Sequence, residues 1–351
     1  MNKYTKIGIS ALAGSLAMVS ANAVEYTMSG GMQVTFTTAD SVGGAQADSG
    51  KGLGSATDLG FNASGELDNG YTVGYFMSVD TDNALTNTSA QLTVGMGSLG
   101  TLQYNNEYGS KANGIDDITP HAYNETWDGL STGAGTTVAN TNNPSFFGSA
   151  TASGSIDYRI PAQEYMGTTI NASVTYDPNA GVGAASKAGV AAIGDSGSGT
   201  AYTLQVAHES GVEVGGGVEI LKDAQGLLLS DSTESTTAYV KYAMGGLSAA
   251  YQVAYQDVRS GTGVVGADKE ADFMSVAYTY GDLTVSYGES SLETKAVSST
   301  VKRPTIDLDS LQAAYVMGAM TVSAAMSETK NLGGVVATKY AENTLSVSFA
   351  F

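Results

Sequence analysis

Cysteine is absent from the 351 residues, so disulfides contribute nothing to stability, even in an oxidising compartment. Proline is scarce at five residues and histidine at two. Charge is sparse as well. Asp, Glu, Lys and Arg make up 14% of the chain, with 34 acids against 15 bases and a formal charge of −19. That density argues against a disordered polyanion, and the acidic balance disfavours nucleic acid, whose phosphates need a basic partner. Beyond residue 23 no apolar run approaches the roughly 20 residues a spanning helix requires, which excludes a helical membrane protein. What the chain has instead is 45 glycines and 20 tyrosines. These suit strands, tight turns and an interfacial aromatic population better than they suit helices.

Residues 1–23 read as a secretory signal peptide: Lys3 and Lys6 form the charged start, residues 7–19 a mostly apolar core, and Ala21-Asn22-Ala23 a small-x-small cleavage site. A membrane anchor is the competing reading, but the apolar stretch is too short for it. Cleavage before Val24 leaves one domain, residues 24–351, and takes two positive charges with it.

The mature chain alternates. At its end Leu345, Val347, Phe349 and Phe351 are interleaved with Thr344, Ser346, Ser348 and Ala350, the period of two of a strand with one oily and one wet face. Stopping inside a strand, on an aromatic, fits a closed barrel, where the last strand pairs with the first and no edge is left. The same alternation runs through Tyr26, Met28, Met32, Val34 and Phe36, and recurs to give about sixteen strands. Short turns such as Asp68-Asn69-Gly70 and Gly281-Asp282 alternate with long connections at residues 39–57, 108–154, 177–200, 221–235, 257–270, 289–304 and 328–341. An even strand count with short turns at one end and long loops at the other is the outer-membrane arrangement. A pair of secreted β-sandwiches also has short alternating strands, but predicts no such rhythm.

In hydrocarbon the outward residues must be apolar, so the polar ones face inward, and sixteen strands leave room for water. The inward set includes Gln33, Glu66, Gln91, Gln103, Asp157, Arg159, Gln205, Glu213, Glu219, Lys241, Gln252 and Gln312. Such side chains are costly to bury dry, so a water-filled pore follows. Arginine at outward Val285 should therefore cost roughly 2–4 kcal/mol, while Ser286→Arg, pointing inward, should be tolerated.

Three segments carry a resemblance. They are Met28-Ser29-Gly30-Gly31-Met32-Gln33-Val34-Thr35-Phe36, then Gly97-Ser98-Leu99-Gly100-Thr101-Leu102 before the longest loop, then Ser155-Ile156-Asp157-Tyr158-Arg159-Ile160-Pro161 after it. With the terminal Phe351, their order and spacing resemble the general diffusion porins of Gram-negative outer membranes, of the alphaproteobacterial type, over essentially the whole mature chain. The resemblance implies a homotrimer in the outer membrane, in contact with lipid and lipopolysaccharide, with Phe351 presented to the barrel assembly machinery. It also implies that the third long loop folds into the lumen as a constriction, with Glu107, Asp116, Asp117, Glu125 and Asp128 as its acidic rim. Family members set basic residues on the opposite wall. Here the inward positions of the first four strands hold Ser29, Gln33, Thr35, Asp58, Glu66, Thr72, Gln91 and Thr93, and no base. Lys51 is expected in the first loop, and Arg159 beside Asp157 or Glu164 near a short turn. An acidic constriction without counter-charge predicts cation preference.

Catalytic patterns are missing. No G-x-S-x-G elbow or H-E-x-x-H occurs, and His121 and His208 stand apart in the sequence. No cofactor is expected, although a structural Ca²⁺ at Asp116 and Asp117 is conceivable. Two alternatives stay open at this point: a substrate-specific channel of the same architecture, and a secreted β-rich adhesin. An outer-membrane hydrolase is more distant.

Overall fold

Antiparallel pairing consumes nearly every alternating segment. The computed structural model describes residues 25–42, 50–81, 85–106, 109–126, 146–180, 197–222, 232–257, 268–295 and 304–351. The leader, Glu107 and Asp128 lie outside this set. The strands are β1 (Glu25–Val42), β2 (Gly50–Glu66), β3 (Thr72–Asp80), β4 (Thr86–Gly95), β5 (Thr101–Asn106), β6 (Ser155–Arg159), β7 (Gln163–Tyr165), β8 (Thr168–Ala180), β9 (Gly197–His208), β10 (Val212–Lys222), β11 (Ser232–Met244), β12 (Leu247–Asp257), β13 (Lys269–Tyr280), β14 (Leu283–Thr294), β15 (Ile306–Met317), β16 (Met320–Lys330) and β17 (Lys339–Ala350). Neighbours in sequence pair, and β17 returns to β1, so the sheet is closed. At the seam Gly30 N donates to Phe351 O at 2.8 Å and Phe351 N to Gly30 O at 2.9 Å.

Seventeen segments make sixteen strands of barrel, because β6 and β7 both pair with β8. The interruption falls at Pro161, which has no N–H for the ladder. The strand resumes at Gln163, and the turn that follows is only Met166-Gly167, both at positive φ.

The first hairpin differs more from expectation. Of the stretch 39–57 expected to be a loop, residues 39–42 and 50–57 are strand, and β1 and β2 stay in register from Glu25↔Ser64 to Ala39↔Gly50. Gly50, Gly52 and Gly54 weaken the intrinsic strand preference there, but they sit opposite Ala39, Thr37 and Thr35 on a strand rich in β-branched residues. Lys51 consequently lies in β2 opposite Thr38, on the face of Phe36 and Leu53, and not on a loop free to swing inward.

The two faces of the ladder are inverted relative to a water-soluble protein. Register aligns Tyr251, Met274, Tyr287 and Leu311 on one face, and all four are exposed. Exposed tyrosines flank the short turns, as at Tyr165, Tyr280 and Tyr315, and recur near the opposite ends at Tyr176, Tyr202 and Tyr255. Two aromatic girdles around an apolar band mark a bilayer-facing exterior. On the other face Ser173, Thr203, Gln252, Ser275, Ser310, Gln312 and Ser346 are buried. Ser286 belongs to this set at 5% exposure, so it cannot serve as an open inward position.

Asn62 can: it is exposed, and it pairs with Thr27 and Phe76 on the inward face. Val285→Arg should lower barrel stability by roughly 2–4 kcal/mol in urea titrations of liposome-folded protein, while Asn62→Arg should leave the midpoint nearly unchanged. Equal sensitivity at the two positions would contradict the assigned faces.

Candidate functional site

The buried face is buried by the chain itself. After β5, residues 109–126 leave the wall and cross the lumen, passing through a single 3-10 turn at Asn113–Ile115. Gln103 Nε2 donates to Gly109 O at 2.9 Å, and Lys111 N donates to Asp157 Oδ2 at 2.8 Å. Asp157 is wholly buried, also accepts from Thr175 Oγ1, and pairs with Arg159 at 3.1 Å. Arg159 is thereby committed to anchoring the loop's start and is not presented to the bore.

Further along, two wall glutamines grip the loop backbone. Gln252 on β12 accepts from Ile118 N at 2.9 Å and donates to Ile115 O at 2.9 Å and Asp116 O at 3.0 Å. Gln312 on β15 accepts from Tyr123 N at 2.9 Å and Asn124 N at 3.1 Å, and donates to Asn124 O at 2.7 Å. Between them Ser286 Oγ accepts from Ala122 N at 2.8 Å, and Ser275 Oγ donates to Pro120 O. Tyr123 then reaches Gln33 on β1, 2.9 Å away. A primary amide matches a peptide group donor for acceptor, so each glutamine satisfies loop groups that would otherwise be buried without partners.

The returning limb adds apolar contact. Phe146 packs on Ala254, Ala271, Phe273, Leu292 and Ile306, and Phe147 on Ala112, Ile115, Ala201 and Tyr239. Burying one such ring is worth about 1.5–3 kcal/mol. Glycine makes room for this packing: a Cβ at Gly217 would stand 2.5 Å from the Phe147 ring, and one at Gly288 would collide with Thr126 Oγ1. Glu219, 2% exposed, accepts from Gly148 N at 3.0 Å and Thr151 Oγ1 at 2.8 Å.

The described part of the loop lies mainly on β6 to β15 and touches β1 at Gln33, so the wall it leaves uncovered is that of β1 to β4. There Ser29, Asp58, Asn62, Ser64, Glu66 and Thr72 face inward and stay exposed, with half-buried Gln91 beside them and Gln103 deeper, at 7% exposure. The loop acids that are described, Asp116, Asp117 and Glu125, are half-buried. Asp116 accepts from Asp117 N at 2.8 Å, and Asp117 from Thr119 N at 2.7 Å and Thr119 Oγ1 at 2.6 Å, so both also hold the loop's own turns. Among the described residues no group of three or more His, Cys, Asp or Glu side chains is gathered as a metal site, so Asp116 and Asp117 have no third such ligand. Lys241 faces the lumen opposite Glu213. Sequence reasoning placed Gln252 and Gln312 inward but did not foresee their hold on the loop, since their partners lie 134 to 189 residues away.

A closed barrel with an apolar, tyrosine-girdled exterior and a lumen narrowed by its own loop defines the class: a water-filled outer-membrane channel. The family model of the Gram-negative porins matches residues 8–351, and the chain belongs to that family. Among solved structures it is similar to the anion-selective porin of Comamonas acidovorans, at 13% identity and TM-score 0.64, covering 94% of this chain and 100% of that one. It is also similar to Salmonella typhi OmpF in complex with daunomycin, at 13% identity and TM-score 0.63 over 93% of this chain and 97% of that one. The trimer form of Vibrio cholerae OmpT matches at 12% identity and TM-score 0.61 over 94% and 100%. No curated protein matches the sequence.

Replacing Gln252 and Gln312 together by leucine should release the loop while leaving the barrel closed. The expected result is larger or noisier single-channel conductance with unchanged heat-modifiable gel migration. Conductance identical to wild type would show that the amides do not hold the constriction.

Proposed function

We propose that the chain forms a passive, cation-preferring diffusion channel for small hydrophilic solutes in the outer membrane, exported by the leader at residues 1–23 and assembled as a homotrimer. One observation carries the selectivity: the wall left open to the bore has inward acids at Glu25, Asp58, Glu66 and Asp80. Among the described residues of β1 to β4 the one base, Lys51, is on the other face. Loop acids Asp116, Asp117 and Glu125, with Glu107 and Asp128 nearby in sequence, add to the negative potential from the opposite side. A narrow aqueous path between low-dielectric walls focuses that field, raising local cation concentration and repelling anions. The anion-selective neighbour shares the fold at 13% identity. Fold therefore does not set the sign, which depends on the side chains lining the path.

Outward Ser55 supports the trimer. It pairs with Val34 in the apolar band, and a hydroxyl facing hydrocarbon is better explained if a neighbouring copy covers it. The remaining outward surface would meet lipid and, in the outer leaflet, lipopolysaccharide, with Phe351 as the signal read by the assembly machinery. No bond-making step belongs to this reading. His121 Nδ1 lies 3.2 Å from Thr119 O, and His208 is engaged with Ser210 at 2.8 Å near a short turn.

In a planar bilayer under a KCl gradient the reversal potential should report K⁺ preference, which weakens as ionic strength shortens the screening length to about 10 Å at 0.1 M and below. Asp58→Asn with Glu66→Gln should move it toward zero. Anion preference in the wild type would overturn the assignment.

A further inference from the structure

On the short-turn side of the docked loop the lumen wall holds a recess of about 630 Å³, roofed by loop residues 114–121 and walled by β9 to β14. That volume falls in the roughly 300–1,000 Å³ usual for small-molecule sites. Charged groups of both signs line it: Glu213 and Lys241 from the wall, Asp117 and His121 from the loop, with Gln205 and Ser248 between them.

Glu213 and Lys241 stand directly opposite in the β10–β11 ladder, where a cross-strand ion pair would ordinarily form. Here they do not close to within 4.0 Å, and among the described residues Lys241 makes no ion pair. The cause is local. Tyr239 Oη donates to Glu213 Oε1 at 2.6 Å and itself accepts from Gln205 Nε2 at 2.8 Å. This relay holds the carboxylate on the tyrosine and leaves the half-buried ammonium of Lys241 facing the recess. Oε2 of Glu213 takes no protein donor among the described residues. A partly desolvated cation and carboxylate, adjacent but held apart, are satisfied together by a guest that carries the opposite charge at each end.

We infer that this recess is a binding station for zwitterionic solutes of the amino-acid and short-peptide class, with the solute carboxylate on Lys241 and its ammonium on Glu213. A simple cation leaves Lys241 uncompensated, and a simple anion meets the field of Glu213 and Asp117. His121 adds a second polar contact to the recess, its Nδ1 donating to the Thr119 carbonyl oxygen at 3.2 Å. The inference rests on the channel reading and gives that lumen a solute class.

Single-channel recording with L-alanyl-L-alanine, its N-acetyl derivative and its C-terminal amide tests it at neutral pH. The zwitterion should interrupt the wild-type current in a saturable way, with half-maximal block at about tenfold lower concentration than either singly charged analogue. Lys241→Met should abolish the advantage of the zwitterion over its amide while the open channel still conducts. Equal block of the wild type by all three compounds, no block by any, or an undiminished advantage in Lys241→Met would overturn the inference and leave the channel reading standing. A wild-type barrel that inserts yet carries no salt current would overturn both. The three-compound comparison needs only the wild type, so it decides the matter even if the variant fails to fold.

Discussion

Hydrocarbon offers a peptide group nothing to bond with, and that one constraint governs this architecture. Each unpaired N–H or C=O in the bilayer costs several kcal/mol, so a spanning sheet must close on itself. Closure here depends on β17 lying between β16 and β1 in continuous register from Gly31↔Ala350 to Val42↔Lys339. The consequence reaches past the strands: once the ladder is closed, the ring fixes a lumen of set width, and whatever narrows it has to come from a connection. The third long connection does so by docking on the wall.

The packing logic is correspondingly inverted. A water-soluble domain hides its aliphatic residues and wets its polar ones. Here the largest buried set is Ser, Thr and Gln under the loop, while Met, Val, Leu and Tyr are exposed around the circumference. Among the described residues, clusters of buried apolar side chains form where loop meets wall, around Phe146 and Phe147, and near Leu308, Leu332 and Tyr340 at the long-loop end. The polar interior is no defect, because loop backbone and wall side chains satisfy one another group by group, as Gln252 and Gln312 show.

Much of the barrel was legible in the sequence because a period of two is a local signal. Strands such as β13 and β14, where Met274, Val276 and Tyr278 face Glu289, Tyr287 and Val285, announce both their existence and their faces. The first half of β2 did not, since three glycines at alternate positions erase local preference and its pairing is supplied by β1. Pro161 breaks the ladder because it lacks a donor, yet the strand resumes two residues later. Less of the site could be read. Inward polarity at Gln252, Gln312 and Ser286 was visible, but which of them meet loop backbone depends on contacts across more than a hundred residues, and alternation carries no information about such distances. Ser286 thus looked like an open inward position when it is in fact covered.

Midway along its path the loop is held by carboxamides and hydroxyls, Gln252, Ser275, Ser286 and Gln312, which neither ionise nor attract counterions, whereas its first and returning limbs are tied to the carboxylates of Asp157 and Glu219. Dilution, brine and mild acid therefore have nothing to act on at the centre of the span. Only its two ends are moored to groups that feel the surrounding water.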